Sequence, residues 1–384
     1  MNSRTRIKRI ESWLINFFSC LFVVILCALV IVGVQRKLSA ADSPNFATVN
    51  LKLAQSHILP RYKRLQTNAA QFEDAIVKLC NAAAPRDPSA SQAAFHQLMD
   101  GWMAIEHIRH GPVELLMRNF RIHFWPDKGA RGARQIRLLH QRRDQSGLKK
   151  DAFTSASVAV QGLPAAERLL FSKSYSKTII DAKEKNYTCQ LLQAIAQNIN
   201  DISKELLASW SPGSNSYQAV IQNAGKPGNK FSKPKDATAD YVKAMHTTLK
   251  VLTDLKLDRV LGKTIEKVKP KRAESWRSKR SLRNIIFNLK ALQAMYEGEK
   301  GLGLKHLIES KHPDLSRLLS RAFKKTLETA QSIQQPLTDA VTMPKPRSKV
   351  LRLAKEMRAL KVLVSGKLAP AIGTPLGFNA LDGD

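Results

Sequence analysis

The chain has 384 residues, 43% of them hydrophobic and 24% charged, a balance that fits a folded protein and excludes a disordered one. Its 62 basic and 31 acidic residues give a formal charge of +31; residues 1–41 carry a net +5, so the rest still holds +26. Such a surface draws anions, or it is simply a solvated basic face, and no zinc-finger, RNP-like or helix-turn-helix signature points to nucleic acid.

In chain order, a basic segment at residues 4–9 precedes 22 uncharged residues, 13–34. About 20 apolar residues suffice to span a bilayer, and the denser charge on the N-terminal side favours translocation of the downstream chain. Small residues at 39–41 would suit a signal peptidase, so an uncleaved membrane anchor and a cleaved signal peptide both remain open. Either places the body in the periplasm or cell envelope. In that oxidising space Cys80 and Cys189 either pair or stay as two buried thiols.

Helical periodicity then dominates. Apolar positions from Leu51 to Leu79 predict a helix over residues 45–81, and a break with two prolines follows. A second helix should start near Ser89 or Ser91 and end at Gly111-Pro112, followed by a loop rich in Gly, aromatic and basic residues. Leu192, Ile195, Ile199, Ile202 and Leu206 step by three and four, the spacing of a bundle helix over 181–210. Residues 211–238 read as a Pro/Gly/Ser/Lys-rich connector with room for one short helix. Helical patterns resume at 239–255, 281–296, 314–333 and 348–363. The expected fold is all-α: a first helical bundle over 42–210, the connector, and a second bundle over 239–384.

Chemistry is sparsely signalled. There is no HExxH, GxSxG, phosphate loop or paired CxxC. Glu106 and His110 share a predicted helical face with His107 beside them, but this falls short of a three-ligand metal set, so polar side chains facing solvent explain it better. In RIHFWPD, Arg121 and Asp127 bracket two aromatics, Trp125 among them, and an Arg121–Asp127 ion pair would tie the loop down. ESWRSKRS opens a helix with Arg277, Lys279 and Arg280, and Ser281 suits its N-cap. Cations there oppose the helix dipole unless an acid is near; Glu167, in VQGLPAAERLLF, is one candidate. The end, GTPLGFNALDGD, reads as a tail that packs.

Four of these segments, HIRHGP with RIHFWPD, VQGLPAAERLLF, ESWRSKRSLRNI and PLGFNALDGD, occur in the order found in the imelysin-like family of bacterial envelope proteins, which the chain resembles over about residues 45–384. That family was first grouped as metallopeptidases. The resemblance implies two packed helical bundles, export, and a link to iron uptake or regulation, with iron the one cofactor it suggests. Its signature GxHxxE falls on residues 162–167, where Gly162 and Glu167 match and Pro164 replaces the histidine. Proline offers no ligand atom, which weakens both a peptidase and a direct iron-ligand role and suits Glu167 to a helix's first turn. The expected function is non-enzymatic, iron-linked binding of a small ligand or envelope partner between the bundles. Gly162, Glu167, Arg121, Trp125, Asp127, Arg277 and Arg280 are the candidate site residues. The alternatives are an imelysin-type metallopeptidase or a basic protein held on anionic envelope polymers.

Overall fold

A computed structural model describes residues 45–182, 186–299, 301–374 and 376. The apolar run at 13–34 and the tail from 377 onward lie outside the described residues. Among those described, no helix is long and apolar enough to cross a membrane, and there is no strand.

The fold is all-α. Helix α1 (Phe46–Leu53) starts where the Asn45 side chain accepts from the Thr48 N–H at 2.8 Å. It passes through a wide π turn (Ala54–Ile58) into α2 (Leu59–Asn81). Helix α3 (Ser89–Met103) follows the proline break, then α4 (Arg131–Arg142), α5 (Leu163–Phe171) and the long α6 (Tyr187–Trp210). Every member of the 192–206 apolar series is buried, and α6 lays that stripe along α2, which also packs on α3. A disulfide joins Cys80 at the end of α2 to Cys189 at the start of α6, with Cα atoms 5.6 Å apart. Closing a loop of this length removes about 4–5 kcal/mol of unfolded-state entropy.

The stretch expected as connector holds a short helix (Tyr217–Gln222), and α7 (Pro234–Lys250) already begins inside it. Helices α8 (Ser281–Glu297), α9 (Pro313–Gln331) and α10 (Pro344–Leu363) pack in sequence, α8 on α9 and α9 on α10, with α7 against α10. Prolines stand in the first turns of α5, α7, α9 and α10, where a missing N–H costs no helical hydrogen bond. The two groups of helices share one continuous apolar core. They are also pinned by buried polar bonds: Asn50 on α1 donates to the Pro234 carbonyl and accepts from Thr238, each at 2.7 Å. The tail reaches the core as far as Leu376, beyond a buried Thr374.

Two local expectations change. Helix α3 stops at Met103, well short of Gly111-Pro112, because residues 104–110 turn inward to bury Glu106, His107 and His110 among separate partners. Ser281 is the first residue of α8 rather than its cap, and its hydroxyl donates to the Glu274 carbonyl.

Candidate functional site

The loop after α3, the start of α5 and the segment leading into α8 enclose a cavity of about 460 Å³, lined by Trp125, Asp127, Glu167, Glu274, Trp276 and Arg277 among others. Both groups of helices therefore contribute to its wall. Arg168, Arg259, Lys271 and Arg272 add positive charge to the lining. The Arg277 guanidinium stacks on Trp276, 4.3 Å from the ring centre, and both side chains line the cavity.

Four of the seven candidate residues line this space, and each has a distinct local task. Glu167 sits one turn into α5, 5% exposed, and accepts from the Ser278 N–H at 2.9 Å and the Ser278 hydroxyl at 2.8 Å. Burial pushes its carboxyl above the ordinary range, and the two Ser278 bonds and the Arg277 charge pull back without cancelling that effect. Asp127 spends both oxygens capping α4, accepting from the Arg131 N–H at 2.7 Å and the Gly132 N–H at 3.1 Å. Trp125 and Arg277 offer an aromatic face and a guanidinium.

The other three candidates serve the frame. Arg121 forms no pair with Asp127: its guanidinium reaches Gln161 Oε1 at 2.8 Å and Asn198 Oδ1 at 2.7 Å, deep between helices. Arg280 clamps α8 to α3 through Asp100 at 2.6 Å and the His96 carbonyl at 2.8 Å, so an acid answers the cations at this helix start. Gly162 is required by packing. A Cβ there would stand 2.2 Å from the Ile122 carbonyl oxygen, so a larger residue would force the RIHFWPD loop off α5.

At one end of the cavity lies a cluster that motif reading did not assemble. Lys256 enters it from a π-helical turn (Val251–Asp258) after α7. Its ammonium bonds Glu106 Oε1 at 2.7 Å, Glu274 Oε2 at 2.9 Å and Asn288 Oδ1 at 2.8 Å, with Met103 Sδ at 3.4 Å. The second oxygens of both acids face His123, with Nδ1 3.8 Å from Glu106 Oε2 and Nε2 3.7 Å from Glu274 Oε1. Burial lowers the His123 pKa despite the two carboxylates. Burial acts to raise the Glu106 carboxyl, but Lys256, His123 and Arg109 outweigh it and hold it low.

Glu106, His123 and Glu274 present one donor atom each within 4.8 Å of one another, a grouping different from the Glu106–His107–His110 set that the sequence suggested for inspection. One signal was visible in the sequence, a lysine within the apolar run VLTDLKL. The 17-residue spacing of Glu106 and His123 matches no helical face, and only the turn after α3 brings them together. Of the other histidines in this region, His107 meets His57, Nε2 to Nε2 at 2.8 Å, while His110 packs between Tyr217 and Tyr241.

Comparison with known proteins fits this picture. The imelysin family profile (Peptidase M75) matches residues 58–364. Iron-regulated protein A of Synechococcus elongatus is 20% identical over 323 residues, covering 82% of this chain and 83% of that protein. The crystal structure of an imelysin-like protein from Psychrobacter arcticum 273-4 superposes with a TM-score of 0.71 at 17% identity, over 87% of this chain and 97% of that one. The chain belongs to the imelysin family.

Proposed function

We propose that the protein is an exported, non-enzymatic binding protein of the cell envelope, linked to iron uptake or regulation, and that it holds a small ligand in the cavity between its two helical bundles. The observation that carries this reading is the cavity itself, where Trp125, Glu167 and Arg277 come from three distant segments. An aromatic face, a guanidinium and added basic charge suit an anionic ligand better than a neutral one. Iron enters through the relative named iron-regulated protein A, and export through the basic segment and the uncharged run at 13–34. Binding rather than cleavage is supported by two residues. Pro164 has no ligand atom where the family motif has its histidine, and Glu167 is committed to Ser278.

The test is growth under iron limitation of a strain lacking the gene, complemented with wild type, Trp125→Ala or Arg277→Glu. Both side chains are only half-buried, so the variants should fold. Wild type is expected to restore growth, and the variants are expected to fail while reaching the envelope at the same level. Full complementation by both would end the cavity reading.

A further inference from the structure

The Glu106–His123–Glu274 cluster is more than a buried ion pair. A lysine with two glutamates leaves one net negative charge, and each glutamate uses only one oxygen on Lys256. The remaining oxygens converge on the His123 imidazole. Glu274 Oε1 has no hydrogen-bond partner, although the residue is 2% exposed, and an unsatisfied buried carboxylate oxygen is costly. His123 and Glu274 also line the cavity, so the cluster has one side open to a ligand.

We propose that Glu106, His123 and Glu274 bind a divalent first-row transition ion at the cavity end, with Lys256 as the built-in counter-charge that answers both carboxylates through their other oxygens. This deepens the cavity reading and rests on it. Two carboxylates and an imidazole suit Fe(II), Mn(II) or Zn(II). Two donors sharing one ion at about 2.1 Å each can be at most about 4.2 Å apart, so donors that lie within 4.8 Å of one another need to close by no more than about 0.6 Å, within the reach of side-chain adjustment. Three protein ligands leave at least one coordination position, which faces the basic cavity wall. An anionic ligand could then bind the ion at one end and Arg277 at the other.

The test uses the full chain in mild detergent, stripped of metal with a chelator and titrated with Zn(II), Mn(II) and, without oxygen, Fe(II). One ion per chain is expected, with Zn(II) tightest. His123→Gln and Glu274→Gln should each weaken binding at least tenfold. Lys256→Met removes a competing charge, so it should bind at least as tightly as wild type and gain more in Tm from added metal. X-ray absorption of the wild-type Zn(II) form should show one imidazole and oxygen donors, which keeps the test decisive if a ligand variant does not fold. Absence of saturable binding in both wild type and Lys256→Met would overturn the proposal, as would binding indifferent to His123→Gln and Glu274→Gln. Either result would leave the cavity reading standing, because that is judged separately by the Trp125 and Arg277 variants.

Discussion

Glu167 and Glu274 line one cavity and are both almost fully buried, yet their surroundings treat the carboxylate differently. Glu167 is held by neutral donors, the backbone and hydroxyl of Ser278, and burial leaves it easier to protonate than a free glutamate. Glu274 is held by a full ammonium on one oxygen and by no hydrogen bond on the other. The first corner is closed by Ser278, whose two neutral donors both sit on Glu167 Oε1. The second is charged and incomplete. The family motif marks the closed corner, whereas the open chemistry lies in residues that no short motif connects.

The strongest way to break the comparison is to remove the ammonium. Lys256→Met leaves Glu106 and Glu274 as facing buried anions, and losing one partner of a buried pair typically costs about 3–5 kcal/mol. Urea unfolding should show that loss. Adding Glu106→Gln and Glu274→Gln to the same variant should recover most of it, because the cluster is then neutral. A near-neutral single variant would mean that Lys256 does not compensate these acids.

At the closed corner, Glu167→Ala orphans the buried Ser278 N–H and leaves its hydroxyl only the Ser275 carbonyl. The expected cost is about 1–3 kcal/mol, smaller because no net charge is stranded. Urea midpoints of the two variants, measured side by side, rank the sites. A larger loss at Glu167 than at Lys256 would reverse the expected order.

A helical chain was plain from spacing alone, because the 192–206 stripe answers directly to burial. The cavity was legible through Trp125, Asp127, Glu167 and Arg277, each in a segment that periodicity could not explain. Arg121 and Arg280 were misread for one physical reason: a buried guanidinium meeting Gln161 and Asn198, or Asp100, looks in sequence like one poised for a ligand. The Glu106–His123–Glu274 set depends on long-range packing and on a π turn that aims Lys256 inward, which local pattern does not encode.

The pH dependence of Glu167 sharpens the contrast further. Its folded pKa is raised, so its contribution to stability is fully present below the ordinary carboxylate range and is lost as pH rises through the raised value. Glu167→Gln keeps an acceptor for Ser278 without the titration. The Tm of the variant relative to wild type should therefore increase from pH 4 toward pH 8. A flat difference would show that Glu167 titrates normally.

The smallest expected effect comes from restoring the motif. Pro164→His gives up a proline in the first turn of α5, where its fixed φ limits the unfolded chain, so the stability cost should stay under about 1 kcal/mol. The new imidazole would lie three residues from Glu167, the spacing at which two side chains share a helical face. If Ser278 does close this corner, the variant gains no affinity for Zn(II), because both Ser278 donors already hold Glu167 Oε1. Pairing Pro164→His with Ser278→Ala removes the hydroxyl donor and leaves only the backbone N–H on Glu167 Oε1, and only the double variant should acquire a second ion per chain by equilibrium dialysis. Zn(II) uptake by Pro164→His alone would show that the Ser278 bonds are too weak to keep Glu167 from a metal, and that the proline itself closes this corner.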